Sequence, residues 1–311
     1  MNTTSTGLSH RSMLDVRRWM FCLLLNSTAL AAELTFPILT DTYMDSRSAN
    51  LSRNYGASTT VKTLVDSSDG SVCRGLFKLP AELGLYTPDQ IAEAEVRLYV
   101  FRDNTADRNI TLYPLTRAFV EGSGNGTAPA DGATWNTYDG TNAWTVAGGD
   151  FDAAHPVVGQ KGEILNTNDN DRFFTWDLRA LLTNETTRAA LLNYGALLQI
   201  DEAPLPSSGS PRAPFTSSDD AVYAAAYQPH LRLLVVPSTV NVLRVAFENQ
   251  SLVMDLTNCT PLVTNRLERS HDLQQPDGWT LVTQLVTSGH STNWSEPVQP
   301  DWTNVYYRIT E

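Results

Sequence analysis

Thr60-Val61-Lys62-Thr63-Leu64-Val65 alternates apolar and polar side chains, and Val72-Cys73-Arg74-Gly75-Leu76-Phe77-Lys78-Leu79 continues the pattern after a short break. A period of two places successive side chains on opposite faces of a strand, so both segments predict half-buried β-strands. Working outward, residues 34–39 and 42–44 precede them, and Asn54-Tyr55-Gly56-Ala57-Ser58 supplies a turn between. Val96-Arg97-Leu98-Tyr99-Val100-Phe101 and Ile110-Thr111-Leu112-Tyr113-Pro114-Leu115 follow, and residues 173–178, 195–200 and 230–236 come late. All are rich in β-branched and aromatic residues and are bounded by Gly, Asn or Asp. One segment departs. Residues 177–193 (DLRALLTNETTRAALLN) space Leu178, Leu181, Leu182, Ala189, Leu191 and Leu192 near helical intervals, with Gly195 just beyond. That pattern predicts one or two helical turns at the end of a sheet. Many strands, non-local pairings and one short helix together predict an all-β, jelly-roll-like β-sandwich.

A break is expected near Pro237. Residues 32–237 form the large β-sandwich in this reading. Residues 238–311 carry further strand patterns near 241–248, 251–256, 264–270, 279–285 and 305–309 and predict a small β-sandwich of fibronectin or immunoglobulin type. Cys73 and Cys259 fall in different domains, and two separate buried thiols are expected.

The N-terminus reads as a signal peptide. Arg11, Arg17 and Arg18 precede an apolar stretch that begins Trp19-Met20-Phe21-Cys22-Leu23-Leu24-Leu25 and ends at Ala29-Leu30-Ala31, so cleavage is expected before Ala32. The stretch is too short to span a bilayer, which takes roughly 20 residues. No membrane insertion of the mature chain is expected, and the protein reads as secreted. The whole chain carries a net charge of −12, and removing residues 1–31 leaves 19 basic against 33 acidic side chains, or −14. That balance argues against nucleic acid, which needs a basic stripe to displace counterions.

Several segments together resemble the DNRLRE domain, also classed as carbohydrate-binding module family 96. They are Asn54-Tyr55-Gly56, Arg74-Gly75-Leu76-Phe77, Ala94-Glu95-Val96-Arg97-Leu98-Tyr99 and Phe119-Val120-Glu121-Gly122. Gly132-Ala133-Thr134-Trp135-Asn136, Gly148-Gly149-Asp150-Phe151-Asp152, Asn193-Tyr194-Gly195-Ala196-Leu197-Leu198 and Pro229-His230-Leu231-Arg232-Leu233 continue the order. The resemblance covers residues 40–236. It implies a secreted β-sandwich that binds polysaccharides, including acidic ones. The tail resembles a C-terminal sandwich of secreted proteins from Verrucomicrobia-type bacteria, through Leu267-Glu268-Arg269-Ser270-His271 and Gly278-Trp279-Thr280-Leu281-Val282. That likeness implies no activity.

Residues 118–172 form a long Gly-, Asn- and Asp-rich excursion, and such loops are functional or pinned by something. Trp135, Tyr138 and Trp144 lie within it. Exposed rings stack on the C–H faces of sugars, so these three are candidate ligand-binding residues, against the plainer reading that the tryptophans pin the loop. An acidic glycan also needs cations. Arg74, Arg97, Arg102, Arg108 and Arg117 are available, since guanidinium matches carboxylate bidentately, and Arg74 and Arg117 are the candidate ligand-binding residues. Arg97 lies within a strand and reads as a structural ion-pair partner, while Trp176 reads as core. Calcium is the expected ion, taking 6–8 oxygens. Asp41 with Asp45, and Asp169 with Asp171, are the candidate ligands, although no EF-hand loop is present. No metal-spaced histidines, nucleophile elbow or phosphate-binding loop occurs, so no enzyme activity is expected. The function expected is therefore non-catalytic binding of a polysaccharide or cell-surface glycan. The alternative is an extracellular structural or filament subunit that self-associates through β edges with calcium.

Overall fold

The period-two segments pair into antiparallel ladders. The computed structural model describes residues 23–24, 31–105, 108–128, 131–203, 209–223, 225–236, 238, 240–272, 277–299 and 305–310. The protein is all-β, with several sheets and one small helical region. It divides into two compact units at Pro237/Ser238.

The strands begin with β1 (Leu23–Leu24), which belongs with the second unit. The first unit then holds β2 (Ala32–Pro37), β3 (Asp41–Asp45), β4 (Thr60–Val65), β5 (Val72–Phe77), β6 (Ile91–Val100), β7 (Ile110–Pro114), β8 (Val157–Val158), β9 (Gln160–Lys161), β10 (Arg172–Asp177), β11 (Ala196–Ile200), β12 (Arg212–Thr216) and β13 (His230–Val235). They form one hydrogen-bonded path, β2-β13-β6-β12-β4-β5-β11-β7-β8, with β10 paired to β6 and β9, and β3 paired to β5. The central strand is β6. It pairs antiparallel with β13 and with β10, which sets His230 and Thr175 opposite Arg97.

Alternation decides what the ladders bury. Ala94, Val96, Leu98 and Val100 of β6 point into the core with Leu231 and Leu233 of β13 and with Phe174 and Trp176 of β10. Val61, Phe77, Leu112 and Leu198 from the other end of the path join the same buried cluster. Trp176 is fully buried and its indole N–H donates to the Ile110 carbonyl at 3.1 Å, so no polar atom of the ring is stranded.

The helical region spans α1 (Arg179–Thr183) and α2 (Glu185–Tyr194). Asn184 breaks it in two because its side-chain oxygen accepts from the Thr186 and Thr187 amides and so starts α2 afresh. Gly195 ends it at φ +89°, where an added Cβ would lie 2.2 Å from the Phe77 carbonyl oxygen. Among the described residues no helix is long and apolar enough to cross a membrane.

The second unit contains β14 (Asn241–Glu248), β15 (Ser251–Thr257), β16 (Thr264–Ser270), β17 (Thr280–Val286), β18 (Ser291–Pro297) and β19 (Tyr306–Thr310). One sheet runs β14-β15-β18 and the other β1-β19-β16-β17, with β1 parallel to β19. Leu252, Met254, Leu256, Leu267, Tyr307 and Ile309 fill its core. Cys73 and Cys259 are both free and buried, one in each unit.

Candidate functional site

The face of β6 that turns away from the core carries Arg97 and Tyr99, with Phe101 one residue past the strand end. Tyr223 and Tyr227 pack against this face. Tyr227 approaches the Tyr99 ring at 4.5 Å and Tyr223 at 5.5 Å, while Phe173 of β10 closes the other side at 5.4 Å. Tyr99 is left 4% exposed. Its hydroxyl donates to Asp171 at 2.6 Å, and burial together with that neighbouring carboxylate raises the phenol's pKa.

Arg97 lies beside this cluster with its guanidinium 5.1 Å from the centre of the Phe173 ring, in cation–π range. Its Nε is buried without a hydrogen-bond partner. Among the described residues no carboxylate pairs with it, so the expected ion pair is not formed. The neighbouring Arg232 on β13 differs: it reaches Glu33 at 2.8 Å and Glu93 at 2.7 Å, with Glu95 at 3.5 Å. The local acids are thus spent on Arg232. Arg97 opens into a concavity of about 430 Å³ lined by Thr35, Pro37, Phe173, Gln228 and His230 among others. The His230 Nδ1 lies 2.9 Å from the Gln228 carbonyl. Burial lowers the His230 pKa against the opposing Gln228 hydrogen bond, and the Arg97 charge adds to the lowering, which favours the neutral ring. A neutral ring that donates through Nδ1 keeps Nε2 as an acceptor. The concavity therefore offers an unpaired cation, a half-buried aromatic ring, an imidazole acceptor and side-chain hydroxyl and amide groups.

The loop residues are arranged differently. Trp144 is 5% exposed; its indole N–H donates to the Thr134 carbonyl at 3.0 Å, and its ring packs with Phe119, Leu115 and Leu197. Trp135 is half-buried under Arg74, whose guanidinium lies 5.1 Å from the ring centre. The tip of the Trp135 ring is so close to Gly148, at φ +90°, that a Cβ there would sit 2.7 Å from it. Arg74 donates to both oxygens of Glu202 at 2.8 Å and to the Gly148 carbonyl at 2.9 Å. Arg117 donates to Asp150 at 2.8 Å and covers the Tyr138 ring at 4.9 Å, and Tyr138 meets Trp144 edge-on at 5.8 Å. The structure brings these five residues into one anchoring network, with Arg117 at the rim of a concavity of about 400 Å³.

The four candidate calcium ligands are spread apart in their partners. Asp45 is held by Arg47 and by the Asn50 amide at 2.8 Å. Asp171 accepts from Tyr99, and Asp169 lies 3.8 Å from Arg102. Asp41 is buried; one of its oxygens accepts from the Ser218 amide at 2.8 Å and the other has no hydrogen-bond partner. Among the described residues no group of three or more His, Cys, Asp or Glu side chains is arranged to hold a metal ion.

The search for exposed rings led to the polar loop, took Arg97 as a structural ion-pair partner rather than a binding residue, and passed over Phe173 and His230. All three are visible as outward positions of alternating strands. What identifies them is their shared face, and that depends on the pairing of β6 with β10 and β13. No protein-family model and no curated protein matches this chain.

Proposed function

We propose that this chain is an extracellular, non-catalytic carbohydrate-binding protein. Its large unit reads as a jelly-roll-like sandwich of the DNRLRE kind and its tail as a small fibronectin- or immunoglobulin-like sandwich. The observation that carries the binding reading is the unpaired Arg97 guanidinium beside the Phe173 ring in an open concavity. A guanidinium that lines an open concavity with no carboxylate partner among the described residues favours an anionic ligand that supplies one. A sugar carboxylate fits. It accepts bidentately from guanidinium, its pyranose C–H face packs on an aromatic ring, and its hydroxyls reach His230, Gln228 and Thr35. An acidic polysaccharide is therefore the ligand class.

The test is titration calorimetry with a polyuronate and with a neutral glucan. Binding of the polyuronate, weakened strongly in Arg97→Ala and less in Phe173→Ala, is the expected result. Equal affinity for both polymers, or an Arg97→Ala variant that binds as well as the parent, would remove the reading.

One observation favours a second reading, that of a self-associating structural subunit. Among the described residues β2 pairs with β13 along one edge only, which leaves a six-residue strand edge open to another chain. Sedimentation across a wide concentration range decides it: a strictly monomeric protein removes this reading.

A further inference from the structure

A second concavity lies just past the end of β6, against Phe101. It measures about 520 Å³ and is lined by Arg47, Lys62, Arg102 and Arg212, with Asp66 as the one carboxylate. Four cations around one hollow are out of keeping with a chain of net charge −12. Their commitments are unequal. Arg47 is held by Asp45, and Lys62 donates to the Tyr43 hydroxyl at 3.2 Å. Arg102 has a loose contact with Asp169 at 3.8 Å and is 58% exposed. Arg212 is exposed and has no ion pair among the described residues.

The two concavities are joined by aromatic rings. Phe101 lines the basic hollow and stacks on Tyr223 at 6.0 Å with 19° between planes. Tyr223 meets Tyr227 edge-on at 6.2 Å, and Tyr227 stacks on Phe173 at 6.1 Å with 14° between planes. Phe173 and Arg97 line the first concavity. From Arg97 to Phe101, one residue past the end of β6, the backbone advances roughly 14 Å at about 3.4 Å per residue. That distance exceeds one pyranose ring.

We infer that these two cationic hollows and the ring ladder between them form one track for an extended polyanionic glycan, which is bound along its length rather than at a chain end. The inference rests on the carbohydrate-binding reading and adds a chain-length requirement. Anionic groups spaced along a polymer would meet Arg97 at one station and Arg212 with Arg102 at the other, and the rings between would carry the sugar faces. Two stations on one ligand act together, so affinity rises with length once both are spanned.

The experiment uses the full chain and size-graded oligouronates from two to ten sugars, with a sulfated oligosaccharide and a neutral oligomer of matched length. Affinity is expected to rise at least about tenfold between the shortest and longest uronates. The Arg102→Ala/Arg212→Ala double variant is expected to abolish that gain and leave the shortest uronate bound as before, since both side chains are exposed and the fold does not depend on them. The sulfated arm reads whether the stations select carboxylate or any anion. Length-independent affinity, or an unchanged gain in the double variant, would overturn the track while leaving the Arg97 site standing. Failure of every acidic oligomer to bind would overturn both.

Discussion

Two arginines in this protein each cover an aromatic ring at 5.1 Å, Arg74 over Trp135 and Arg97 over Phe173. The rings look alike on distance alone, but the cations do not. Arg74 has a bidentate carboxylate and a carbonyl, so each of its three nitrogens donates a hydrogen bond. Arg97 has a buried Nε with nothing to donate to. On the proposed reading, an aromatic–cation pair marks a binding site only when the cation is unspent. The long polar excursion uses its rings and arginines to hold itself down. The outward sheet face leaves its arginine for something else.

The comparison can be broken in several ways. Trp144→Ala should lower stability by about 3–5 kcal/mol, because it empties a buried site and strands the Thr134 carbonyl. Urea unfolding measures this. A loss under 1 kcal/mol would mean that the excursion is not anchored by that ring. Arg74→Ala should cost about 2–3 kcal/mol by leaving Glu202 and the Gly148 carbonyl without their partner, and affinity for acidic glycan should be unchanged. Arg97→Ala should show the reverse pattern. Its stability should stay within about 1 kcal/mol of the parent, and binding should weaken by about 2 kcal/mol. If Arg74 governed binding and Arg97 governed stability, the assignment of the two regions would be inverted.

The smallest expected effect concerns pH. Glu121 anchors the start of the excursion by accepting from the Asp41 amide at 2.6 Å. Burial raises its pKa to about 7, with the Asp41 and Asp219 charges adding to the shift and Lys78 opposing it. A carboxyl whose folded-state pKa is raised holds its proton more tightly when folded. Its contribution to stability is therefore present below its ordinary value near 4.5 and is lost as pH rises through about 7. Unfolding midpoints should fall between pH 5 and pH 8 in the parent and fall less in Glu121→Gln. Parallel curves for the two proteins would show that Glu121 is ionised throughout.

Much of the architecture was readable in local pattern. The strands from Thr60 to Val65 and around Val96 have a period that any half-buried strand must have, and Trp176 is core as its apolar neighbours suggest. The helix was legible as a segment. Its break at Asn184 was not, because a cap and a helical interior differ only in which amides the side chain faces. The proposed binding face was hidden for a related reason. Arg97, Phe173 and His230 come from three strands distant in sequence, and only strand pairing puts them side by side. Arg97 reads as an ion-pair partner from its place within a strand, yet Glu33, Glu93 and Glu95 converge on Arg232 instead. Which arginine wins a carboxylate is a matter of register, and composition carries no register.

The most direct test maps amide chemical shifts of the protein as an acidic oligosaccharide is added. Shifts centred on Arg97, Phe173, Gln228 and His230, with Trp135, Tyr138 and Arg117 unmoved, are the predicted result. Shifts confined to the excursion around Trp135, Tyr138 and Arg117, or no shifts at saturating ligand, would contradict the account.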